Sequence, residues 1–561
     1  MDDGSDEVAG KGQGIAGRVS AIFRGTFTGL FHSFVWILLL LGAILIGAAV
    51  WVRTTFGPVL IDQILLNLPG AAGAEETDIG QEYVSSFIWT AIVIPILAIL
   101  SLAAIVLIAR GILMLRRQLR LRRSESASAV HAENGSTRPR LVARRWLQLG
   151  AAVSVLAIGA VTFSNTVQLW QYIRSITANV TMADYYAPVD TENDHLLTVS
   201  DDASAGGTSH TSLVLIYLES TEDTFTNTDL FDRNLLQPLE EATEGWDSVS
   251  ALQTYRGGGW TMAGIVGSQC GVPLRGAEFS RNDIASNDIG QENSGYLSGA
   301  KCLGDVLQDA GYANVFMGGA DLNFAAKGSF LQDHGYDRLL GLDLWWEYLH
   351  AGDLGEEDFG PWGFSDRGLM AMAKEEIVRL HESGQPFNLT MLTVDTHEPV
   401  HFYDYCQPVA GPGLESVINC SANQVADFIS FMEEMGYLED TAVVLMGDHP
   451  KMLGEGGELW DELKDVDFED RTLFNRIWSP TGASISRQSG DQLSMYATML
   501  DLLALGREDG QAGVGVSLLR SEIPTDSALA LDEPAYQELL ASRSSDLYRR
   551  LWGSEIIEAA P

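Results

Sequence analysis

Three long apolar runs in the first third of the chain limit what it can fold into more than any other feature. They cover residues 31–52 (FHSFVWILLLLGAILIGAAVWV), 87–109 and 146–167, and none of them carries a full charge. A helix needs about 20 apolar residues to cross the ~30 Å core of a bilayer, and each run is of that length. Pro95 falls inside the second run, where it is expected to kink the helix, a defect that membrane helices tolerate. The third run is the least apolar and could instead be a buried core helix. No small-residue cleavage site precedes a mature polar domain, so the runs read as a retained anchor. The chain then divides into a polar, mobile, cytoplasmic segment (1–28) and a membrane region of three helices (29–170). After these come a linker rich in Asp, Ser, Thr and Gly (171–210), a globular domain (211–510) and an acidic tail, helical in part (511–561).

Charge gives the orientation. Between the second and third runs lie Arg110, Arg116, Arg117, Arg120, Arg122, Arg123, Arg138, Arg140, Arg144 and Arg145. The loop between the first and second has only Arg53 against five acidic residues. Basic loops stay in the cytoplasm, and three spans then place the C-terminal body outside. The formal net charge of -40 falls almost wholly on that body. Such a surface repels phosphate backbones, which argues against a nucleic-acid partner. All four cysteines, Cys270, Cys302, Cys406 and Cys420, lie in the same body, in a compartment that permits disulfides. Four cysteines allow three connectivities. Cys406 with Cys420 would close a short loop and leave Cys270 with Cys302.

The body begins with TSLVLIYLES (211–220), an apolar run ending in polar residues, as a buried parallel strand does. Strand-like 313–318, 387–394 and 441–446 each follow a helical pattern, at 303–310, 369–381 and 423–435. Alternation of this kind argues for an α/β domain with a mainly parallel central sheet flanked by helices. Sites in such sheets form outside the carboxyl ends of the strands. There the chain places Glu219, then Asp395-Thr396-His397, then Asp448-His449.

A fourth element joins them. In GGGWTMAGIVGSQCGVPL (257–274) three glycines allow a tight turn, and Trp260 and Thr261 follow where an apolar helix starts. A hydroxyl in that first turn sits among unsatisfied N–H groups that favour an anion. Alone, Thr261 could be a simple N-cap, Asp448-His449 a turn, Glu219 an exposed strand end and His397 a loop residue. Together, Glu219, Thr261, Asp448 and His449 form a mixed oxygen and nitrogen set suited to a divalent cation, Mn²⁺ first, with Mg²⁺ or Zn²⁺ as alternatives. A metal beside Thr261 would lower its hydroxyl pKa and offset charge on a phosphoryl oxygen. His397 and Lys327 are the candidate cationic donors opposite.

The segments LVLIYLES (213–220), GWTMAGIVGSQCGVPL (259–274), CLGDVLQDAGY (302–312), GGADLNFAAKGSFLQDHGYD (318–337), WGFSDRGL (362–369), LTVDTHEP (392–399) and VVLMGDHPKM (443–452) resemble, in order, the membrane-anchored phosphoglycerol transferases of the alkaline phosphatase superfamily. That group includes the lipoteichoic acid synthases, and the resemblance is nearest to its periplasmic-glucan branch. The resemblance implies an alkaline phosphatase-like, or sulfatase-like, domain after the transmembrane helices. It makes Glu219, Thr261, Asp448 and His449 metal ligands, with Thr261 also the nucleophile. His397 becomes a phosphoglycerol contact, and Trp260 a substrate-side residue. Lys327 stands where the synthases have an arginine, a point charge in place of a planar fork. Paired cysteines and three spans instead of five favour the glucan branch. Pro450 after the Asp-His pair departs from the pattern.

The expected activity is transfer of phosphoglycerol from phosphatidylglycerol to an osmoregulated periplasmic glucan, on the outer face of the bacterial inner membrane. It would pass through a glycerophosphoryl-threonine with release of diacylglycerol. A lipoteichoic acid synthase-type polymerase and a phosphoethanolamine transferase are rivals in the same superfamily. A sulfatase is disfavoured because Thr261-Met-Ala-Gly-Ile lacks the Cys or Ser needed to make formylglycine. A non-catalytic lipid sensor is the rival of another class.

Overall fold

In the computed structural model the described residues are 6–57, 59–61, 64, 78–124, 138–177, 180–189, 211–275 and 295–553. They divide into two compact units.

The first unit (Met1–Thr54 with Glu82–Gln168) is built of long helices. Three of them are long and apolar enough to cross a membrane, over Thr28–Thr55, Tyr83–Arg120 and Arg144–Thr166. Residues 6–28, expected to be mobile, continue the first helix, which runs Asp6–Thr55. Extending an existing helix costs far less than nucleating one. Pro95 has no N–H to offer the carbonyl four residues back. The distortion takes the form of a π-helical segment, Ile88–Val93, just ahead of it.

The second unit (Thr55–Gln81 with Leu169–Pro561) holds a six-stranded sheet. Its strands are β1 (Ser212–Leu218), β2 (Ala313–Gly318), β3 (Arg338–Leu340), β4 (Phe387–Leu392), β5 (Thr441–Gly447) and β6 (Asn475–Trp478). They lie in the order β3-β2-β4-β1-β5-β6, all parallel except β6, which runs antiparallel to β5. β1 sits between β4 and β5 and is buried along its whole length. Its side chains alternate between two cores, Leu213, Leu215 and Tyr217 on one face and Val214, Ile216 and Leu218 on the other. A strand with both faces buried has no polar face to show, so its sequence reads as one continuous apolar run.

Two buried asparagines interrupt this apolar interior. Asn314 on β2 pairs in register with Asn388 on β4, and the Asn388 amide donates to Asn314 Oδ1 at 3.2 Å. The Asn314 amide in turn donates to the carbonyls of Gly304 and Gly335 at 2.9 and 2.8 Å.

Among the helices that carry residues of the site or of its supports are α1 (Thr261–Cys270), α2 (Leu414–Glu434) and α3 (Gln492–Leu502). The apolar stretch expected as a helix at 423–435 is the second half of the longer α2. The expected linker is helical at Leu169–Thr177, with a 3-10 turn at Met182–Asp184, and from residue 190 it lies outside the described residues. The stretch after 510, expected as an acidic tail, packs into the body through residue 553. Val514, Val516, Leu518, Leu539, Leu540 and Leu551 are buried. The Tyr548 hydroxyl donates to the Pro273 carbonyl at 2.6 Å, and the Trp552 indole to the Arg275 carbonyl at 2.8 Å.

Candidate active site

The carboxyl end of β1 delivers Glu219, and that of β5 delivers Asp448 and His449. All three are at most 3% exposed. One ligand atom from each lies within 4.8 Å of the others. α1 brings Thr261 to the same place, and its hydroxyl donates to Glu219 Oε2 at 3.2 Å. Thr261 is the first residue of the helix, and the N-cap is Trp260, in extended conformation and without a side-chain capping bond. The Thr261 hydroxyl therefore does not cap its own helix and turns to the carboxylate.

The approach of α1 depends on small residues. The Tyr217 hydroxyl meets Ser268 Oγ at 2.6 Å, tying the helix to β1. At Gly264 a Cβ would stand 2.9 Å from the Asp448 carbonyl carbon and 3.0 Å from Gln492 Nε2. Gln492, at the start of α3, donates to that same Asp448 carbonyl.

Ser220, not among the expected site residues, bridges the two carboxylates. It adopts a left-handed conformation with φ 53°. Its hydroxyl donates to Glu219 Oε1 at 2.7 Å and its N–H to Asp448 Oδ1 at 2.8 Å. The β4 side adds two threonines: Thr393 Oγ1 accepts the Glu219 N–H at 2.9 Å, and Thr396 Oγ1 donates to the Glu219 carbonyl at 2.6 Å. Only the position of Ser220, next to a strand-end acid, hints at such a role in the sequence.

His449 has one ring nitrogen committed. Nδ1 lies 2.8 Å from the Pro450 carbonyl, which makes it an N–H donor and leaves Nε2 facing Glu219 Oε1 and Asp448 Oδ2, each at 3.5 Å. Pro450 thus fixes the ring through its carbonyl. Asp448 Oδ2 is buried with no hydrogen-bond partner. A buried carboxylate oxygen without a hydrogen bond is costly, and here it lies beside a second carboxylate and the Nε2 edge of His449. The set fits a cation.

The titration of the bare cluster points the same way. Burial would raise the Glu219 carboxyl, but the His397 charge and hydrogen bonds from His449 and Ser220 hold it far below the usual range. Burial and the Glu219 charge push Asp448 up to about 8. Burial opposes charge on His449, yet the Asp448 and Glu219 carboxylates raise it to about 9. Two carboxylates in one site cannot both ionise without a positive partner.

Around the cluster stand the other expected residues. Lys327, 4% exposed, begins the helix Lys327–Asp333. Burial lowers it to about 8, against the pull of Glu219, Asp321 and Asp448. His397 is half-buried, with Nδ1 2.9 Å from the Glu398 carbonyl and its ring 4.0 Å from the Trp362 ring. Its pKa is lowered by burial, partly countered by Glu219. Lys451, 5% exposed and not singled out in the sequence, pairs with Glu398. Disulfides join Cys270 to Cys302 and Cys406 to Cys420. Cys302, Asp305 and His334 also cluster, but Cys302 is disulfide-bonded. The His334 nitrogens meet Asp305 Oδ2 and the Tyr296 carbonyl at 2.7 and 2.9 Å, so that cluster is internally satisfied.

Comparison with known proteins places these residues in a family. The sulfatase family profile matches residues 214–505, more than half of the chain and all of the cluster. A phosphoglycerol transferase I of Xanthomonas campestris pv. campestris is 35% identical over 326 residues, which is 57% of this chain and 44% of that protein. A phosphoglycerol transferase I of Salmonella paratyphi B is 33% identical over 352 residues, 61% of this chain and 42% of that protein. The chain thus spans under half the length of these curated relatives. A solved alkaline phosphatase superfamily protein from Vibrio parahaemolyticus is 18% identical with a TM-score of 0.47, covering 66% of this chain and 99% of that one. By the extent of the profile match, this chain belongs to the sulfatase family.

Proposed function

We propose that the chain transfers phosphoglycerol from phosphatidylglycerol to a hydroxyl of a periplasmic glucan, with Thr261 as the nucleophile. The observation that carries this reading is the Thr261 hydroxyl directed at Glu219 Oε2 (3.2 Å), beside the Asp448–His449 pair. The phosphoglycerol transferase relatives supply the substrate class.

Glu219, Thr261, Asp448 and His449 would hold a divalent cation, Mn²⁺ first and Mg²⁺ or Zn²⁺ as alternatives. When bound it supplies Lewis-acid stabilisation of the Thr261 alkoxide and of a phosphoryl oxygen. Glu219 Oε2 orients the Thr261 hydroxyl and holds its proton. Glu219 itself is held by Ser220, Thr393 and Thr396. Lys327 and His397 would balance phosphoryl charge, and Trp260, next to the nucleophile in the chain, would contact the substrate. The Thr261 Oγ–P bond forms as the P–O bond to diacylglycerol breaks, and the departing oxygen takes the proton that Glu219 held. A glucan hydroxyl then attacks the phosphorus, its proton passes to Glu219, and the Thr261 oxygen takes that proton as the Oγ–P bond breaks.

The domain covering 211–510 would carry the chemistry on the periplasmic side of the inner membrane, given the arginine-rich loop between the second and third spans. A threonine at the nucleophile position cannot become formylglycine, which separates this reading from sulfate-ester hydrolysis. The test is intact-mass analysis of the purified chain after incubation with phosphatidylglycerol and Mn²⁺. The expected result is one added glycerophosphoryl group on Thr261 with release of diacylglycerol. An adduct formed only with phosphatidylethanolamine would reassign the donor. Full transferase activity in a folded Thr261→Ala chain would end the proposal.

A further inference from the structure

His397 and His449 are oriented in the same way. Each Nδ1 meets the carbonyl of the residue that follows, Glu398 at 2.9 Å and Pro450 at 2.8 Å. A carbonyl only accepts, so Nδ1 carries a proton in both rings. The setting of each imidazole therefore depends on where the next residue is held.

The two histidine loops follow different strands, β4 and β5, and the side chain of Lys451 joins them. Its Nζ donates to Glu398 Oε2 and, at 3.0 Å, to the Met452 carbonyl. The lysine side chain is 4% exposed and that of Glu398 33%. An ion pair wholly at the surface contributes little, but here the ammonium is sealed from water, and a buried charge is costly unless it is paired.

Lys451 is itself held from behind. Arg471 Nη2 donates to the Lys451 carbonyl at 2.6 Å and to Glu222 Oε2 at 2.7 Å. Glu222 stands on the loop after β1, in the same turn of chain as Glu219. Contacts thus run unbroken from the β1 loop, through Arg471 and Lys451, to Glu398 and the His397 ring. Burial is the main cause of the lowered His397 pKa, and the Lys451 charge adds to it, so the two groups lie within electrostatic reach.

We propose that Lys451 is a positioning residue for His397. Its ion pair to Glu398 fixes the carbonyl that holds the His397 ring, and so sets the imidazole that meets the phosphoryl group. Only the phosphoryl contact rests on the phosphoglycerol-transfer reading; the setting of the ring does not. Because Lys451 acts through a group that binds substrate, its loss should raise KM more than it lowers kcat. A lysine that merely stapled two loops together would change the thermal midpoint and leave the ring and KM as they are.

The test pairs kinetics with histidine NMR on the full chain in detergent. With isotope-labelled histidine, the His397 ring is identified among the ten histidines by its loss in His397→Asn. The wild type is expected to show one fixed His397 form, protonated at Nδ1. Lys451→Met and Glu398→Ala are each expected to replace it with tautomer averaging. Each should raise KM for phosphatidylglycerol roughly tenfold, with kcat within about threefold of wild type. The double variant should be no worse than the worse single one, because both changes cut the same link. Effects that multiply in the double variant, or a wild-type ring and KM in both single variants, overturn the proposal. If Lys451→Met does not fold, Glu398→Ala, at a partly exposed side chain, decides in its place. A chain that forms no adduct on Thr261 yet loses the fixed His397 form in these variants would refute the transfer reading and leave the positioning role standing.

Discussion

Replacing Gly264 with alanine sets two physical effects against each other. Gly264 lies inside α1, where alanine is favoured over glycine by about 1 kcal/mol of helix propensity. Propensity alone therefore makes the variant more stable. The packing gives the opposite answer. A Cβ there would stand 2.9 Å from the Asp448 carbonyl carbon and 3.0 Å from Gln492 Nε2, with the Asp448 carbonyl oxygen nearer still. Relaxed carbon contacts lie at about 3.5–4.0 Å, so the helix and the Asp448 loop must separate by roughly 1 Å. That separation falls between Thr261 on α1 and the Asp448–His449 pair. A 1 Å misplacement of reacting groups costs about 10²-fold in rate. We expect Gly264→Ala to lose about two orders of magnitude in diacylglycerol release from phosphatidylglycerol and to bind Mn²⁺ measurably more weakly by calorimetry. The control is Gly150→Ala, at a helical glycine with no atom within 4 Å of its Cβ position, expected to behave as wild type. A Gly264→Ala chain within threefold of wild type in rate, with unchanged Mn²⁺ affinity, would refute the claim that this contact sets the site geometry.

Further predictions concern the framework. Arg471 grips both carboxylate oxygens of the fully buried Glu222, Nε donating to Oε1 at 3.2 Å and Nη2 to Oε2 at 2.7 Å. Arg471→Met should cost about 3–5 kcal/mol by stranding that carboxylate, seen as a lower denaturation midpoint that adding Glu222→Gln partly restores. Loop entropy puts the Cys406–Cys420 bond, with separation 14, at about 3 kcal/mol and the Cys270–Cys302 bond, with separation 32, at about 3.7. Removing the second should therefore lower the thermal midpoint more than removing the first. Burial raises the Asp223 carboxyl to about 7, against an unfolded value of 3.8. The folded state then holds the extra proton between those values, so the residue's contribution to stability falls as pH rises from about 4 to about 7. Asp223→Asn should gain on wild type across that window, by at most about 4 kcal/mol, in thermal melts taken at pH 4, 6 and 8.

The sequence disclosed the parts of this structure that carry a one-dimensional signature. β1, β2, β4 and β5 are buried on both faces and read as apolar runs, so they could be found within a residue or two. β3 and β6 are only three and four residues long and include Arg338, Asn475 and Arg476, too short and too polar to show a period. The rule that parallel strands end at sites picked out Glu219, Asp448 and His449, and the structure brings those three together with Thr261. The simple N-cap alternative for Thr261 falls, because the helix starts at Thr261 itself and the N-cap is an extended Trp260 with no side-chain capping bond. The supporting roles of Ser220, Thr393, Thr396 and Gln492 could not be read for a different reason. A serine or a glutamine in a sequence looks the same whether it faces water or a buried carboxylate, and only the convergence of distant segments decides. Pro450 looked anomalous because its side chain draws the eye, whereas it is its carbonyl that holds the His449 ring.

The paired amides of Asn314 and Asn388 have a reach beyond their own hydrogen bonds. Sliding β4 one residue along β2 would turn Asn388 to the opposite side of the sheet and strand both amides in apolar surroundings. The same slide would carry Thr393 and Thr396 out of step with Glu219. The two asparagines act as a notch that permits one alignment of the sheet, the alignment in which the strand ends meet.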